Sequence, residues 1–267
     1  MIMNTTRIYG IFLRQVFILR DNPMRLIPYF LWAVLDIVLW GFITRYLHTV
    51  DSGLAFVPTL LGGILLWDFL VRVQQGVTMP FLEDVWSKNF LNIFASPLKV
   101  SEYMTGFVLT SIATSAAGLV VMLLLAGGIF GLDLLALGVL LLPFILILFL
   151  FGIALGIVGT ALVLRFGPSA EWLIWPIPAV LGPFVGIMYP ISVLPSWMQA
   201  ISYILPPTYV FEGMRNALMS QSLSFAPLIL GVVLATCYLA LAYFFFVSTY
   251  RKIARDGMIS RFEAEGP

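Results

Sequence analysis

From Tyr103 to Leu164 the chain carries a single charged residue, Asp133. A helix needs roughly 20 mainly apolar residues to cross a bilayer, so this stretch is long enough to cross and return. Gly131–Asp133 supplies a tight turn between the two halves. The same length criterion predicts spans near Leu26–Leu47, Leu54–Met79, Tyr103–Ile129, Leu134–Leu164, Glu171–Tyr189 and Phe225–Tyr250. Between Glu171 and Glu212 the chain is charge-free and too long for one span, and Pro190, Pro195, Pro206 and Pro207 divide its second half. Non-spanning backbone at membrane depth must be buried in protein or face a wet cavity. Ile191–Ser220 is therefore expected to form re-entrant or interfacial half-helices. The predicted fold class is an all-α integral membrane protein with six transmembrane helices, one membrane domain over residues 1–267.

Composition excludes the soluble classes. Hydrophobic residues make up 61% of the chain and charged residues 10%, with a mean hydropathy of +1.04. No soluble domain could solvate such a surface. A net charge of +1 gives no electrostatic case for nucleic acid. The lone cysteine, Cys237, excludes an intrachain disulfide. Arg7, Arg14, Arg20 and Arg25 interrupt any apolar core of a signal peptide, so none is expected.

Lysine and arginine set the expected orientation. Six spans put Arg7, Arg14, Arg20, Arg25, Lys88, Lys99, Arg165, Arg251, Lys252, Arg255 and Arg261 on one side, against Arg45 and Arg215 on the other. The positive-inside rule assigns the first side, with both termini and the tail 251–267, to the cytoplasm. Thr5–Arg20 mixes Ile8, Phe12, Val16 and Leu19 with Arg7, Arg14 and Gln15, a pattern suited to a helix lying on that face.

One long polar interruption, Glu83 to Glu102, lies on the same side. Trp86, Phe90, Ile93 and Phe94 recur at helical spacing, while Lys88, Asn92 and Ser96 form a polar stripe. Glu83 and Asp84 suit a helix N-terminus, and Pro97 a stop. A helix over Asp84–Ser96 would be about 20 Å long.

Catalytic chemistry has little to work with. None of Lys88, Lys99 and Lys252 follows a glycine, so the chain has no phosphate-binding loop of the P-loop type. One histidine, His48, and one cysteine cannot make a zinc site or a nucleophile–histidine pair. No catalytic, cofactor or metal site is predicted.

Charges inside the spans are the remaining polar signal. Asp36 lies in the first predicted span, and Asp68 and Arg72 lie one turn apart in the second. Arg72 can pair with Asp68 at i,i+4 or with Asp36 between helices. The pair is either a structural clasp or part of a substrate path. Tyr29, Trp32, Asp36 and Trp40 share one helical stripe that suits an amphipathic cargo, although aromatics also serve as packing or interface anchors. Gly152, Gly156 and Gly159, like Gly182 and Gly186, have spacing that favours close helix packing. Glu212 and Arg215 are placed to pair on one helical turn.

In these features the chain resembles the ABC-2 type permeases, the membrane subunits of ATP-driven exporters. The likeness rests on the order of the spans, on the amphipathic segment ending in Ser96-Pro97-Leu98, and on the run Leu194 to Leu218. That run reads LPSWMQAISYILPPTYVFEGMRNAL and carries Leu194, Pro195, Trp197, Pro207, Tyr209, Glu212 and Arg215. The resemblance implies that 84–96 is a coupling helix docking on a separate ATPase, through Asp84, Trp86, Lys88, Asn89, Phe90, Asn92, Ile93 and Phe94. It implies a working unit of two permeases, expected as a homodimer, and two ATPases that bind the ATP and magnesium. Trp197, Tyr209, Glu212 and Arg215 would belong to a re-entrant gate on the outer side. The expected location is the cytoplasmic (inner) membrane. The expected function is export of a hydrophobic or amphipathic molecule, such as a drug or lipid. Export of a polysaccharide or glycolipid is the alternative. An autonomous secondary transporter or scramblase is disfavoured, because the broken element occurs only near the C-terminus.

Overall fold

The computed structural model describes residues 3–22, 24, 26–50, 57–87, 89, 92–93, 96–132, 134–219 and 225–255. Among them every regular element is helical. Four helices are long and apolar enough to cross a membrane: Thr59–Trp86, Val100–Phe130, Leu137–Phe166 and Phe225–Arg255.

The first helix, α1, runs Thr5–Asp21, capped by the Asn4 side chain, which accepts from the Thr6 N–H at 3.0 Å. It packs along α4 (Val100–Phe130) and buries Ile11 and Gln15. Gly106 of α4 makes this approach possible, since a Cβ there would stand 2.6 Å from the Ile11 Cβ.

Helix α2 (Leu26–Val50) lies at the edge of the bundle against α3 and α4. Its outward residues, Leu31, Leu35, Leu39, Phe42 and Tyr46, form one exposed apolar stripe.

Helix α3 (Val57–Trp86) is the central post, touching α2, α4, α5 (Leu141–Phe166) and α9 (Pro206–Leu218). It has the lowest mean hydropathy of the four candidate spans, 1.2, yet the most buried window, 78%. The two facts share a cause. A helix shielded from lipid by protein can carry Asp68, Arg72, Gln74 and Thr78, because its neighbours supply the polar partners that lipid cannot. Ser111 of α4 donates to the Val73 carbonyl at 2.8 Å, and Thr78 donates to the Gly156 carbonyl of α5 at 3.1 Å.

Helix α5 crosses α3 so closely that a Cβ on Gly156 would meet the Val77 Cβ at 2.7 Å and the Gln74 carbonyl oxygen at 2.9 Å. The expected close packing at Gly152 and Gly156 is therefore present against α3. The helix begins later than the expected Leu134, because a 3-10 stretch, Leu134–Leu140, containing Gly138 at φ 54°, precedes it. Gly131 at φ 67° closes α4 ahead of this connection, its N–H donating to the Gly127 carbonyl.

The expected fifth span, Glu171–Tyr189, is not one regular helix. It is a string of short pieces: 3-10 turns at Pro168–Ala170 and Gly182–Phe184, with α6 (Glu171–Ile174) and α7 (Pro176–Leu181) between them. Trp175, Gly182 and Val185 keep right-handed helical dihedrals. Prolines 176, 178 and 183 lack the N–H donors that would close the ladder. The helical course ends at Gly186, φ 75°, after about 24 Å, short of a hydrocarbon core. A Cβ on Gly182 would make only ordinary contacts at 3.8 Å, and Gly186 serves a turn, so the two do not form a helix seam.

The chain then folds back through a 3-10 turn at Ile191–Val193, α8 (Ser196–Ile204) and α9. Helix α10 (Phe225–Arg255) closes the bundle along α5, with Tyr238 edge-on to Phe151 at 5.3 Å.

Candidate functional site

At the α1 end of the bundle, the last turn of α3 carries Asp84. A carboxylate at a helix C-terminus opposes the helix dipole, and Asp84 is only 2% exposed. Its charge is met by the Arg14 guanidinium of α1 through both terminal nitrogens, one at 2.8 Å, and by the Tyr103 hydroxyl of α4 at 2.6 Å. The hydrogen bond to Asp84 in turn holds the Arg14 guanidinium above its ordinary pKa. Glu102, fully buried, accepts from the N–H groups of Asn4 and Lys99 at 2.8 and 3.0 Å and faces Arg7 at 3.5 Å. Arg7 also donates to the Pro97 carbonyl. Helix α1 is thus pinned to both ends of the α3–α4 connection.

This geometry corrects the reading of 84–96 as one separate helix. Residues Asp84 to Trp86 complete α3, and Ser87 turns. Asp84 is consumed inside the chain and offers no surface to a docking subunit. Trp86, 45% exposed, does. Asn92 and Ile93 are helical, Asn92 exposed and Ile93 packed inward, and Asn89 is half-buried. Lys88, Phe90 and Phe94 lie outside the described residues.

A groove opens above this cluster between α2 and α3, closed on its far side by the 168–189 segment. Its inner part is a cavity of about 440 Å³ bounded by Gln15, Trp32, Asp36, Asp68, Arg72, Glu83, Thr114 and Trp175, among others. Its outer part, about 450 Å³, is bounded by Trp40, Trp67, Pro183, Met188 and Tyr189. Asp36, Asp68 and Val71 line both. Of the expected path residues, the structure brings Trp32, Trp40, Asp36, Asp68 and Arg72 to one groove; the Tyr29 side chain lies outside the described residues.

The ion pair here is within α3, from Arg72 Nε to Asp68 Oδ2 at 2.8 Å. Asp36 stands across the groove, in the field of both. Sequence reasoning missed Gln15, Glu83, Trp67 and Trp175 as lining residues. Gln15 reads as the polar face of a surface helix and Glu83 as a helix N-terminus, while Trp67 and Trp175 carry no pattern that distinguishes a cavity wall from a packing anchor.

On the far side, Trp197, Tyr209, Glu212 and Arg215 act as fasteners. The broken helix ends with carbonyls that lack helical donors. Tyr189 donates to the Pro183 carbonyl at 2.8 Å, Ser202 to Phe184 at 2.5 Å, and Arg215 to Gly186 at 2.8 Å. Glu212 pairs with Arg215 and accepts from the Ile191 N–H at 3.0 Å. Tyr209 donates to the Tyr203 carbonyl, and Trp197 lies edge-on to Phe184. Further along the same segment, Pro178 leaves the Ile174 carbonyl without its helical donor, and Gln74 of α3 reaches it at 3.5 Å.

Among the described residues no group of histidine, cysteine and acidic side chains could hold a metal ion. No curated protein matches the chain. Residues 24–219, most of the chain, match the family model described as ABC-2 type transporter. The protein belongs to the ABC-2 type transporters, the membrane permeases that work with an ABC ATPase subunit.

Proposed function

We propose that this chain is the permease subunit of an ATP-driven exporter that moves a hydrophobic or amphipathic molecule outward along the α2–α3 groove. The observation that carries this reading is the pair of cavities that share Asp36, Asp68 and Val71 and follow one another from the α1 end toward Tyr189. Their walls combine indole rings with a few charges, the mixture that binds small molecules. ATP and magnesium belong to the separate ATPase, two copies serving a pair of these permeases in the cytoplasmic membrane, with both termini and the 87–99 connection on the cytoplasmic side. The basic residues of α1 and of the last turn of α10 support that orientation.

Force from the ATPase enters at the α3–α4 connection. Trp86 is exposed beside a carboxylate cluster that ties this connection to α1, so a push there is carried to α1, α3 and α4 together. ATP binding can bias the permease only through contacts that differ between its access states. Trp86→Asp with Phe90→Asp tests this in the assembled complex. Burying carboxylates in an apolar docking groove should lower ATP-dependent transport at least about tenfold while the spans stay folded. Transport at the wild-type rate would overturn the docking assignment.

A further inference from the structure

We propose that the groove selects an organic cation with an apolar body and that Asp36 receives its charge, an assignment that rests on the export reading above and narrows its substrate class. The inner cavity brings three carboxylates, Asp36, Asp68 and Glu83, against one guanidinium, Arg72, and Glu83 stands in the field of Arg14 of α1. Asp68 and Arg72 are already matched on one helix face at 2.8 Å. Asp36 comes from a different helix and makes no hydrogen bond or ion pair among the described residues. A carboxylate in a membrane groove is costly unless a cation or water meets it. The excess charge of the cavity is therefore negative, and it sits on α2 facing open space.

A second, independent group points into the same cavity. Gln15 of α1 is 4% exposed, lines the cavity wall and has no hydrogen-bond partner among the described residues. Buried amides are ordinarily bonded, so Gln15 is poised for a partner that enters the cavity. Trp32 and Trp175 line the same cavity as Gln15 and Asp36, and indole faces attract cations while covering apolar surface. The cavity volume, about 440 Å³, suits a small molecule rather than a folded polymer.

Tetraphenylphosphonium and tetraphenylborate test the assignment, being nearly equal in shape and opposite in charge. Both are titrated, by quenching of tryptophan fluorescence, onto the full chain purified with its ATPase in nanodiscs. Comparing wild type with Asp36→Asn for each ion cancels their unequal partition into lipid. The phosphonium should bind about tenfold more weakly to Asp36→Asn and within about threefold of wild type to Asp36→Glu, while the borate should not weaken. Equal phosphonium affinity in wild type and Asp36→Asn overturns the proposal, as does parallel weakening of both ions. The wild-type complex gives a check that needs no variant. The phosphonium should raise its thermal midpoint and the borate should not, and failure of that difference also overturns the proposal. If ATP drives a neutral amphiphile outward while the phosphonium is ignored, the cation assignment falls and the export reading stands. If the phosphonium binds at Asp36 while ATP drives no transport, the export reading falls and the site stands.

Discussion

Asp84 shows how one side chain can be legible in type and misleading in place. Acid near the start of an amphipathic run reads as a helix N-terminus, because that is where the dipole favours it. The helix that contains it is the preceding one, and Asp84 sits at its unfavourable end. What makes the position tolerable comes from 70 residues upstream, in Arg14, and from 19 residues downstream, in Tyr103. Such long-range partners leave no local signature, so spacing alone could not have found them. The arrangement predicts strong coupling. In a double-mutant cycle of Arg14→Ala and Asp84→Asn, read by thermal unfolding in detergent, the interaction energy should be about 1–3 kcal/mol. Arg14→Ala alone should be the worst of the three variants, since it leaves a buried carboxylate without its cation. Additive losses would show that the pair does not hold α1 in place.

At the scale of elements, apolar length was readable and backbone continuity was not. The third and sixth expected spans, and the fourth from Leu141 onward, reappear as long helices because nothing in them interrupts the hydrogen-bond ladder for more than a turn. The fifth had the same apolar length but carried prolines at 176, 178 and 183, and those positions break it into α6, α7 and 3-10 turns. Hydropathy weighs side chains and is blind to a missing N–H. The glycine seam was legible in α5 because its four-residue spacing fits a helix already long enough to need a neighbour. The contact geometry makes that seam testable. Gly156→Ala would drive a methyl group into the Val77 Cβ and the Gln74 carbonyl, and should destabilise the bundle by about 1–3 kcal/mol. Gly128→Ala, in α4 with open space around the new methyl, should be neutral or stabilising by up to about 1 kcal/mol. Thermal unfolding of the two variants in the same detergent should move in opposite directions or differ by several degrees.

For the whole molecule, the candidate site was half visible in the sequence. Asp36, Asp68 and Arg72 announce themselves because charge inside an apolar span is rare and must face protein or water. That these charges border a groove, rather than a sealed clasp, depends on how the broken 168–189 segment lies along α3, against Gln74 at the Ile174 carbonyl and against Gly63 at Ile187. Only the assembled bundle fixes that. Gln15 joins the site because α1 lies against α4 with its polar face partly turned inward. The inner and outer cavities meet where both are lined by Val71 and the two aspartates. Val71 carries no charge and makes no polar contact, so its only bearing on passage is its size. Val71→Trp adds bulk at this junction without touching the Arg14–Asp84–Tyr103 cluster or the exposed Trp86. If the groove is the route, ATP-dependent transport by the complex should fall at least about tenfold, as expected when an added side chain overfills a packed site. ATP hydrolysis should persist near its basal rate, because the docking surface proposed at Trp86 lies about four turns further along α3. Val71→Ala should leave transport within about threefold of wild type, since removing bulk leaves the junction open. Parallel loss of hydrolysis and transport in Val71→Trp would mean that the residue acts through the fold. Unchanged transport would move the substrate route away from the α2–α3 groove altogether.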